Sequence, residues 1–251
     1  MTRLTVVIPT YNEADNLPIL AAQLWGLPIE ALTILIVDDN SPDGTGRVAV
    51  ELATRRPGVL AVIHRPGKQG LGSAYITGFQ HALASGAEMV CQMDADFSHS
   101  PEYLPEFVAA LETADMLLGS RYVEGGRIDD RWGLGRLLLS SFGNAYARTI
   151  LGLSVRDATG GYRLWRADCL RGLPLERVRS NGYVFQVEMA YLAERLGYRV
   201  VERPIYFEDR RIGQSKMSFR IQVEAALRVW QLLFKYRGLR PPAGPSVGTP
   251  G

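Results

Sequence analysis

The chain has 251 residues, of which 47% are hydrophobic and 22% charged, a balance typical of a folded protein that excludes wholesale disorder. Its two cysteines, Cys91 and Cys169, are too few for a disulfide framework and indicate a reducing compartment. No stretch reaches the roughly 18–20 apolar residues of a membrane span. The net charge is +2, with an excess of basic residues from Arg199 onward, which suits phosphate or an anionic membrane surface. We expect no nucleic-acid partner.

Strands and helices alternate in the first half of the chain. Short apolar runs predict strands over Leu4–Pro9, Leu32–Val37, Val59–His64, Met89–Met93 and Met116–Gly119. The segments between them predict helices over 17–25, 44–54, 71–85 and 101–112. This alternation predicts an α/β fold in which helices cover both faces of a parallel sheet.

The second half of the chain has longer helical segments. The spacing of apolar residues predicts helices over 133–151 and 183–197, an extended segment over 200–207, and a long helix over 218–236. The final residues contain little that could be buried and are predicted to be disordered. Because no repeat or linker is visible, we expect one domain over residues 1–240 and a tail over 241–251.

Polar, acidic segments follow three of the predicted strands. These segments are Pro9–Glu13, Asp38–Asp43 and Asp94–Asp96. Ligands of open parallel α/β sheets bind at the carboxyl ends of the strands, where these segments should meet. A hard divalent cation, which takes oxygen ligands, would relieve the repulsion between the carboxylates. The alternative is turn formation, since Asp, Asn, Ser, Pro and Gly all favour turns.

Two common nucleotide-binding motifs are absent from the sequence. A dinucleotide-binding enzyme needs GxGxxG in the first strand-to-helix loop, but that loop reads PTYNEADN and has no glycine. No GxxxxGK[ST] segment is present either, which disfavours a P-loop hydrolase. A nucleotide held by carboxylates through Mg²⁺ or Mn²⁺ is the interpretation that remains.

Six segments together resemble those of family 2 glycosyltransferases with the GT-A fold. They read VVIPTYNE, IVDDNSPDGT, GLGSAYITGF, MDADFSH, GSRYVEGG and DATGGYRL, and they occur in the family's order over about residues 4–237. The combination resembles in particular the dolichol- or polyprenol-phosphate mannose synthases. The resemblance implies a Rossmann-like, mostly parallel sheet and transfer of mannose, with inversion, from GDP-mannose to a polyprenyl phosphate.

The resemblance also implies roles for individual residues on the donor side. It places the nucleotide sugar beside Pro9, Tyr11, Glu13, Val37, Asp39, Asp94, Ala95, Asp96, Arg210 and Lys216. Asp94 and Asp96 would hold a divalent cation, Mg²⁺ or Mn²⁺, together with the donor diphosphate. Some relatives have Gln where this chain has Ser98, so Ser98 is not expected to be a ligand.

On the acceptor side, the resemblance implies roles for two arginines. Arg121 and Arg136 fall where the family binds the lipid phosphate, and with Asp96 they form the expected catalytic set. A phosphate monoester has its second pKa near 6, so it needs little help from a general base. Asp157 is left with three open roles: it could act as a base, orient Arg121 or Arg136, or cap a helix.

A polyprenyl phosphate acceptor would lie in a membrane, so the protein would need to contact the membrane surface. We expect a cytoplasmic protein that docks peripherally on the cytoplasmic face of a membrane through 134–153 and 218–236. The alternative is that Phe219, Leu227 and Trp230 pack in the core. A small membrane-spanning subunit could also supply the attachment, as it does for some family members.

Three other functions compete with mannose transfer. A polyprenyl-phosphate glucosyl- or aminosugar transferase would use a UDP-sugar and share most of these motifs. A catalytically silent scaffold would bind a nucleotide sugar, although it need not keep Asp94, Asp96, Arg121, Arg136 and Lys216. A nucleotide-sugar pyrophosphorylase would need a glycine-rich basic first loop, which PTYNEADN is not.

Overall fold

The strands of the molecule form one large and one small sheet. The computed structural model describes residues 2–209 and 219–241, and within them it contains nine strands. These are β1 (Leu4–Thr10), β2 (Leu32–Asp38), β3 (Leu60–His64), β4 (Met89–Gln92), β5 (Met116–Ser120), β6 (Arg127–Ile128), β7 (Arg163–Arg166), β8 (Val200–Pro204) and β9 (Tyr206–Phe207).

Eight α-helices connect and cover these strands in the described residues. They are α1 (Leu17–Trp25), α2 (Thr45–Arg55), α3 (Leu71–Ala84), α4 (Leu104–Ala110), α5 (Leu134–Leu151), α6 (Ala167–Gly172), α7 (Gly182–Arg195) and α8 (Phe219–Tyr236). Short 3₁₀ turns flank α4 at Pro101–Tyr103 and Leu111–Thr113, and a third lies at Leu175–Arg177. The predicted helix over 101–112 is therefore three consecutive pieces, two of them beginning beside a proline.

The large sheet has seven strands in the order β3-β2-β1-β4-β7-β5-β8. The pairs β1–β2, β1–β4, β2–β3 and β5–β8 are parallel, and β7 is antiparallel to both its neighbours. This mostly parallel α/β sheet confirms the predicted fold class. The small sheet pairs β6 with β9, so the predicted extended segment over 200–207 divides between the two sheets at Ile205.

The antiparallel strand β7 was not predicted. It inserts between β4 and β5, with Gln92 opposite Arg163 and Leu118 opposite Arg163 on the other side. Because β7 runs against its neighbours, it begins at the edge of the sheet where β4 and β5 end. The loop that precedes β7 is consequently delivered to the carboxyl edge of the sheet, between the two strand ends.

Apolar residues on the two faces of the sheet form two cores. Alternate residues of β1 point to opposite faces, so Val6 and Ile8 join the core under α1, α2 and α4. Val7 joins the other core, which contains residues of α3, α5, α7 and α8. In α3, a Cβ on Gly78 would lie 2.2 Å from Val7 Cγ1, so only glycine lets this helix lie directly on the strand.

The end of α8 is fastened to α7 by a buried carboxylate. Glu188 is fully buried and accepts hydrogen bonds from Tyr236 Oη (2.6 Å), Lys235 Nζ (2.9 Å) and the Ser180 backbone N–H (3.2 Å). Three donors of this kind satisfy a buried carboxylate without leaving its charge unpaired. Within the described ranges, no helix combines the length and apolarity that crossing a membrane requires. The predicted disordered tail, beyond Pro241, lies outside the described residues.

Candidate active site

The loops after β1 and β2 are joined by a buried aspartate. Asp38 Oδ1 accepts hydrogen bonds from Thr10 Oγ1 (3.0 Å) and Ser41 Oγ (2.6 Å), while Ser41 Oγ also accepts the Asn12 backbone N–H at 3.1 Å. Asn12 has a positive φ of 64°, a conformation that asparagine tolerates better than most residues. Asp38 therefore has the turn-forming role that the sequence left open.

A second carboxylate, Asp43, also holds the loops after β1 and β2 together. It accepts hydrogen bonds from the Thr45 hydroxyl (2.6 Å) and from the backbone N–H groups of Thr45 and Ala14, both at 3.0 Å. Burial would raise the pKa of Asp43, but these hydrogen bonds outweigh it and lower the pKa. The Glu13 side chain accepts from Asn16 Nδ2 at 2.7 Å, and its backbone N–H donates to Thr45. This edge of the site is thus held rigidly by its own polar groups.

Asp39 lies beside these loops and is paired with an arginine. Its Oδ1 is 3.0 Å from Arg65 Nε, and both side chains are almost fully buried. Burial raises the pKa of Asp39, and the Arg65 charge offsets part of that rise. Nearby, Lys68 Nζ lies 4.2 Å from the centre of the Tyr11 ring, which is 38% exposed. An exposed aromatic face next to a carboxylate–arginine pair could receive a planar, polar ligand.

Three of the residues predicted to bind the nucleotide sugar have little exposed surface. Val37 and Ala95 are buried in the two cores, and Pro9, opposite Val37 in the β1–β2 ladder, is half-buried. Val37 and Ala95 therefore offer a ligand almost no exposed surface.

The Asp94–Asp96 segment follows β4, the central strand of the large sheet. Asp94 Oδ1 accepts a hydrogen bond from Tyr75 Oη at 2.6 Å, and the Asp94 backbone N–H donates to His99 Nδ1 at 3.0 Å. Asp96 Oδ1 accepts from Ser98 Oγ at 2.6 Å and from the Ser98 backbone N–H at 3.1 Å. Ser98 therefore orients the Asp96 carboxylate through hydrogen bonds. Each of the two carboxylates has one oxygen that accepts a hydrogen bond from a neighbouring side chain.

These two aspartates fit a divalent cation shared with a substrate. Both offer hard carboxylate oxygens, the ligands that Mg²⁺ and Mn²⁺ prefer. Among the described residues, no group of three or more His, Cys, Asp or Glu side chains could form a cage made of protein alone. Magnesium is commonly held by one or two carboxylates together with substrate phosphates, and a pair at the edge of the sheet suits that arrangement.

At the end of β5, Arg121 forms a buried ion pair with Asp157. Its Nε and Nη2 donate to the two Asp157 oxygens at 2.8 and 2.7 Å, and Nη2 also donates to Thr159 Oγ1 at 2.8 Å. The Arg121 backbone N–H adds a third bond to Asp157 at 3.0 Å. Burial would raise the pKa of Asp157, but the Arg121 charge and hydrogen bonds dominate and lower it. Asp157 is fully buried and orients Arg121, one of the roles that the sequence left open.

The loop that carries Asp157, residues 152–161, is fixed from several directions. Asn144 of α5, Glu194 of α7 and Glu202 of β8 accept backbone N–H groups of this loop. Arg163, at the start of β7, is fully buried and donates to two carbonyl oxygens of the loop at 2.9 and 3.1 Å. Burial lowers the pKa of Arg163 to about 9, which still leaves the side chain charged at neutral pH. The position of Asp157 is consequently set by four elements at once.

Aromatic side chains connect the two predicted phosphate-binding arginines. The Arg121 guanidinium lies 5.1 Å from the centre of the Phe207 ring, and the Phe207 and Trp132 rings meet edge to face at 5.9 Å. Arg136 then lies over Trp132 at 3.7 Å and donates to both Asp209 oxygens at 2.9 and 3.0 Å. The structure thus brings both arginines to one aromatic wall, with Arg121 buried and Arg136 partly exposed. The two remaining predicted residues, Arg210 and Lys216, lie outside the described residues.

Sequence reasoning did not single out the side chains that support this site. Tyr75, Thr159, Trp132 and Phe207 each contact a predicted residue, and none of them was a candidate. Their only signal is position: Tyr75 and Thr159 lie within two of the six characteristic segments, GLGSAYITGF and DATGGYRL. Nothing in the local pattern of Trp132 or Phe207 distinguishes them from core aromatics.

A mostly parallel α/β sheet with an Asp-x-Asp pair after its central strand is the arrangement of GT-A glycosyltransferases. The sequence model described as "Glycosyl transferase family 2" matches residues 5–173 of the chain. The chain belongs to glycosyl transferase family 2 and is a glycosyltransferase.

Two relatives are similar over most of their length. The undecaprenyl-phosphate mannosyltransferase of Micrococcus luteus is 46% identical over 244 residues, which cover 96% of this chain and 99% of that protein. The polyprenol monophosphomannose synthase of Mycolicibacterium smegmatis is 45% identical over 217 residues, covering 86% of this chain and 81% of that protein.

Solved structures share the fold at low sequence identity. A mannosyltransferase from Pyrobaculum calidifontis, in complex with GDP-Man and Mn²⁺, aligns with a TM-score of 0.62 and 21% identity over 96% of this chain and 66% of that chain. Glucosyl-3-phosphoglycerate synthase from Mycobacterium tuberculosis, with Mn²⁺ and UDP-glucose, aligns with a TM-score of 0.65 and 18% identity, covering 97% and 82% of the two chains. These likenesses confirm the GT-A fold.

Proposed function

We propose that the protein transfers mannose from GDP-mannose to the phosphate of a polyprenyl lipid, with inversion at the anomeric carbon. The names of the two relatives at 45–46% identity support this acceptor and this sugar. The structural observation that carries the proposal is the buried ion pair between Asp157 and Arg121. An acceptor hydroxyl would need a base, whereas this carboxylate is buried and fully engaged by Arg121. A phosphate monoester is already mostly dianionic at pH 7 and needs no such base.

The donor would bind along the loops after β1, β2 and β4. The exposed Tyr11 ring and the neighbouring Asp39 are suited to the nucleoside, with Glu13 and the backbone near Pro9 and Val37 completing that side. Asp94 and Asp96, with the backbone of Ala95 between them, would hold the cation at the diphosphate. When bound, the divalent cation would neutralise negative charge on the diphosphate. Arg210 and Lys216 are proposed to add positive charge to the same group.

The acceptor phosphate would be held by Arg121 and Arg136. Asp157 and Thr159 occupy Nε and Nη2 of Arg121, so among the described contacts its Nη1 is the donor left for a ligand. Arg136 is half-exposed and could exchange one of its bonds to Asp209 for a phosphate oxygen. Two guanidinium groups on one aromatic wall would fix both the position and the orientation of the nucleophile.

The proposed reaction is an in-line displacement. An oxygen of the acceptor phosphate forms a bond to the anomeric carbon, and the bond from that carbon to the diphosphate oxygen breaks. The bonding pair leaves with GDP, and no proton needs to move at the nucleophile. The chain's own contribution is to bring two anions together, which requires fixed positive charge on both sides of the sugar.

The test is sugar transfer to a polyprenyl phosphate in detergent. GDP-mannose, UDP-glucose and UDP-N-acetylglucosamine are offered separately with Mg²⁺ or Mn²⁺, and the lipid product is measured. We expect product from GDP-mannose that EDTA abolishes. If only a UDP-sugar gives product, GDP-mannose is the wrong donor and the protein is a UDP-sugar transferase. If the folded protein is inactive with every donor, the result favours a catalytically silent scaffold.

We further propose that the protein docks on a membrane through two exposed apolar rows. On α5, Leu134, Leu138 and Phe142 are each at least 68% exposed and lie four residues apart, and so share one face. On α8, Leu227, Trp230 and Phe234 form a second exposed row. The alternative that Leu227 and Trp230 pack in the core is wrong, while the side chain of Phe219 lies outside the described residues.

The two rows belong to neighbouring helices. Trp230 Nε1 donates a hydrogen bond to Tyr146 Oη at 2.9 Å, which joins α8 to α5 while the rest of the Trp230 ring stays at the surface. Two partly exposed basic side chains, Arg148 on α5 and Arg228 on α8, belong to the same two helices. An amphipathic, basic surface of this kind suits the headgroup region of an anionic bilayer. A small membrane-spanning subunit is the alternative occupant.

Replacement of one residue in these rows tests the docking proposal. We expect Leu138→Glu to lower co-flotation with anionic liposomes at low salt by about tenfold, because burying a leucine contributes roughly 1.5–3 kcal/mol and a carboxylate is repelled by the lipid. Val50→Glu is the matched control, since Val50 is an exposed apolar residue on α2. Equal flotation of both variants and the wild type, or no flotation at all, would contradict a direct membrane contact.

A further inference from the structure

Tyr75 is a fully buried tyrosine whose hydroxyl makes one hydrogen bond within the part of the chain that the structure describes. It lies on α3, where its ring stacks on Phe79 at 5.8 Å and, almost parallel, on Phe185 at 5.9 Å. Its hydroxyl donates to Asp94 Oδ1 at 2.6 Å. A phenylalanine would fill the same apolar space, so packing alone does not account for the hydroxyl.

The Tyr75 hydroxyl donates to a carboxylate, so this hydrogen bond is charge-assisted. A charge-assisted bond of this length, from a rigid ring, fixes the rotation of the carboxylate that receives it. Aromatic side chains pack against the ring on two sides and restrict its movement.

Asp94 is therefore held at two points. Its backbone N–H donates to His99 Nδ1, and His99 is buried and stacked on Tyr162 at 5.1 Å. Its Oδ1 is held by Tyr75. Within residues 2–209 and 219–241, no hydrogen bond reaches Oδ2 of Asp94. The aspartate consequently presents one oxygen, in one orientation, at the carboxyl edge of the sheet.

We propose that Tyr75 is a positioning residue of the cation site, which acts through Asp94 by occupying Oδ1 and directing Oδ2 to the metal. This inference rests on the proposed function, in which Asp94 and Asp96 hold a divalent cation with the donor diphosphate. The Ser98 hydroxyl, which donates to Asp96 Oδ1 at 2.6 Å, has the corresponding place beside the second aspartate. Partners of metal-binding side chains typically change metal affinity by 10–100-fold when they are removed.

The test compares Mn²⁺ binding by wild type and Tyr75→Phe in the presence of GDP, measured by the loss of the free Mn²⁺ paramagnetic resonance signal. We expect the variant to bind Mn²⁺ at least about tenfold more weakly. The transferase reaction should need correspondingly more Mn²⁺ for half-maximal rate, with the rate at saturating Mn²⁺ changed much less.

The matched control is Tyr236→Phe. Tyr236 is also fully buried and also donates to a buried carboxylate, Glu188, at 2.6 Å, but this pair joins α7 to α8. A general loss of stability would affect both variants, whereas a change in Mn²⁺ affinity is expected for Tyr75→Phe alone. Asp94→Asn provides a second measurement, because removing the Tyr75 hydroxyl in that background should weaken Mn²⁺ binding no further.

The outcomes separate this inference from the proposed function. If Tyr75→Phe binds Mn²⁺ as tightly as the wild type, the positioning role is wrong while the transferase proposal stands. Further weakening by Tyr75→Phe in the Asp94→Asn background would also overturn it, because the tyrosine would then act by another route. Wild-type protein that binds no Mn²⁺ with GDP, and transfers mannose in EDTA, would overturn the metal role itself.

Discussion

We expect Asp157→Asn to lower the free energy of unfolding by about 3–5 kcal/mol and to remove most transferase activity without displacing the pH–rate profile. Asparagine has nearly the shape of aspartate but cannot neutralise Arg121, which would be left as an uncompensated buried charge. For a chain of this length the loss corresponds to a melting temperature lower by roughly 6–20 °C. Thermal unfolding and the rate of lipid product formation measure the two effects.

The pH dependence of this difference has a definite sign. The pKa of Asp157 is lower in the folded protein than the value of about 3.9 in an unfolded chain. Ionised Asp157 therefore contributes its stability above about pH 4, and the contribution is lost as the pH falls through the folded pKa. The difference in the free energy of unfolding between wild type and Asp157→Asn should become smaller in that acidic range. Near neutral pH the difference should stay constant.

An exposed ion pair supplies the control for this substitution. Asp168 forms a surface bond with Arg171 at 2.7 Å, and its side chain is 92% exposed. Because such pairs contribute little, Asp168→Asn should change stability by less than about 1 kcal/mol. A variant of Asp157 that keeps its stability but shifts the pH–rate profile would identify Asp157 as a base and overturn our account of the acceptor.

We expect Asp96→Asn to reduce the transfer rate by about a thousandfold or more while leaving the fold intact. A cation that stabilises the leaving diphosphate contributes several kcal/mol to the transition state, and each 1.36 kcal/mol is a factor of ten in rate. The amide oxygen of asparagine can still accept both hydrogen bonds from Ser98, so the substitution removes charge rather than structure.

Asp43→Asn is the matched control for the loss of charge. Asp43 belongs to the same acidic edge and also accepts backbone N–H groups, but its bonds go to Thr45 and Ala14. Activity close to that of the wild type is expected, with a modest loss of stability. Initial rates over a range of Mn²⁺ concentrations distinguish weaker metal binding from a slower chemical step. An Asp96→Asn variant with wild-type rates and metal dependence would contradict the assignment.

The sheet could be predicted from sequence where its strands are apolar and continuous. The strands now called β1, β2, β3 and β5 agree with the apolar runs to within a residue or two. The strand β7 was missed because it is short and begins and ends with an arginine, both of which use their side chains to cap carbonyl groups. That residues 1–240 form one domain stays a prediction.

The candidate site was predictable only as a set of motifs. The resemblance singled out Arg121 and Asp157, yet sequence spacing could not show that a loop 36 residues away returns to pair with the arginine. That contact depends on the reversed direction of one strand. Likewise, Tyr75 and Asp94 lie 19 residues apart and meet because Gly78 lets α3 lie directly on the sheet. Long-range contacts of this kind carry no local periodicity from which they could be inferred.

The reversed strand also sets the spacing between the two halves of the site. With β7 between β4 and β5, the strand that leads to the aspartates and the strand that leads to Arg121 are two interstrand distances apart, about 9–10 Å. Direct neighbours would leave only about half that gap. In the proposed reaction, the inserted strand would keep the leaving diphosphate and the attacking phosphate about one sugar apart. The width of this interval is set by backbone hydrogen bonds, which substitutions of side chains do not alter.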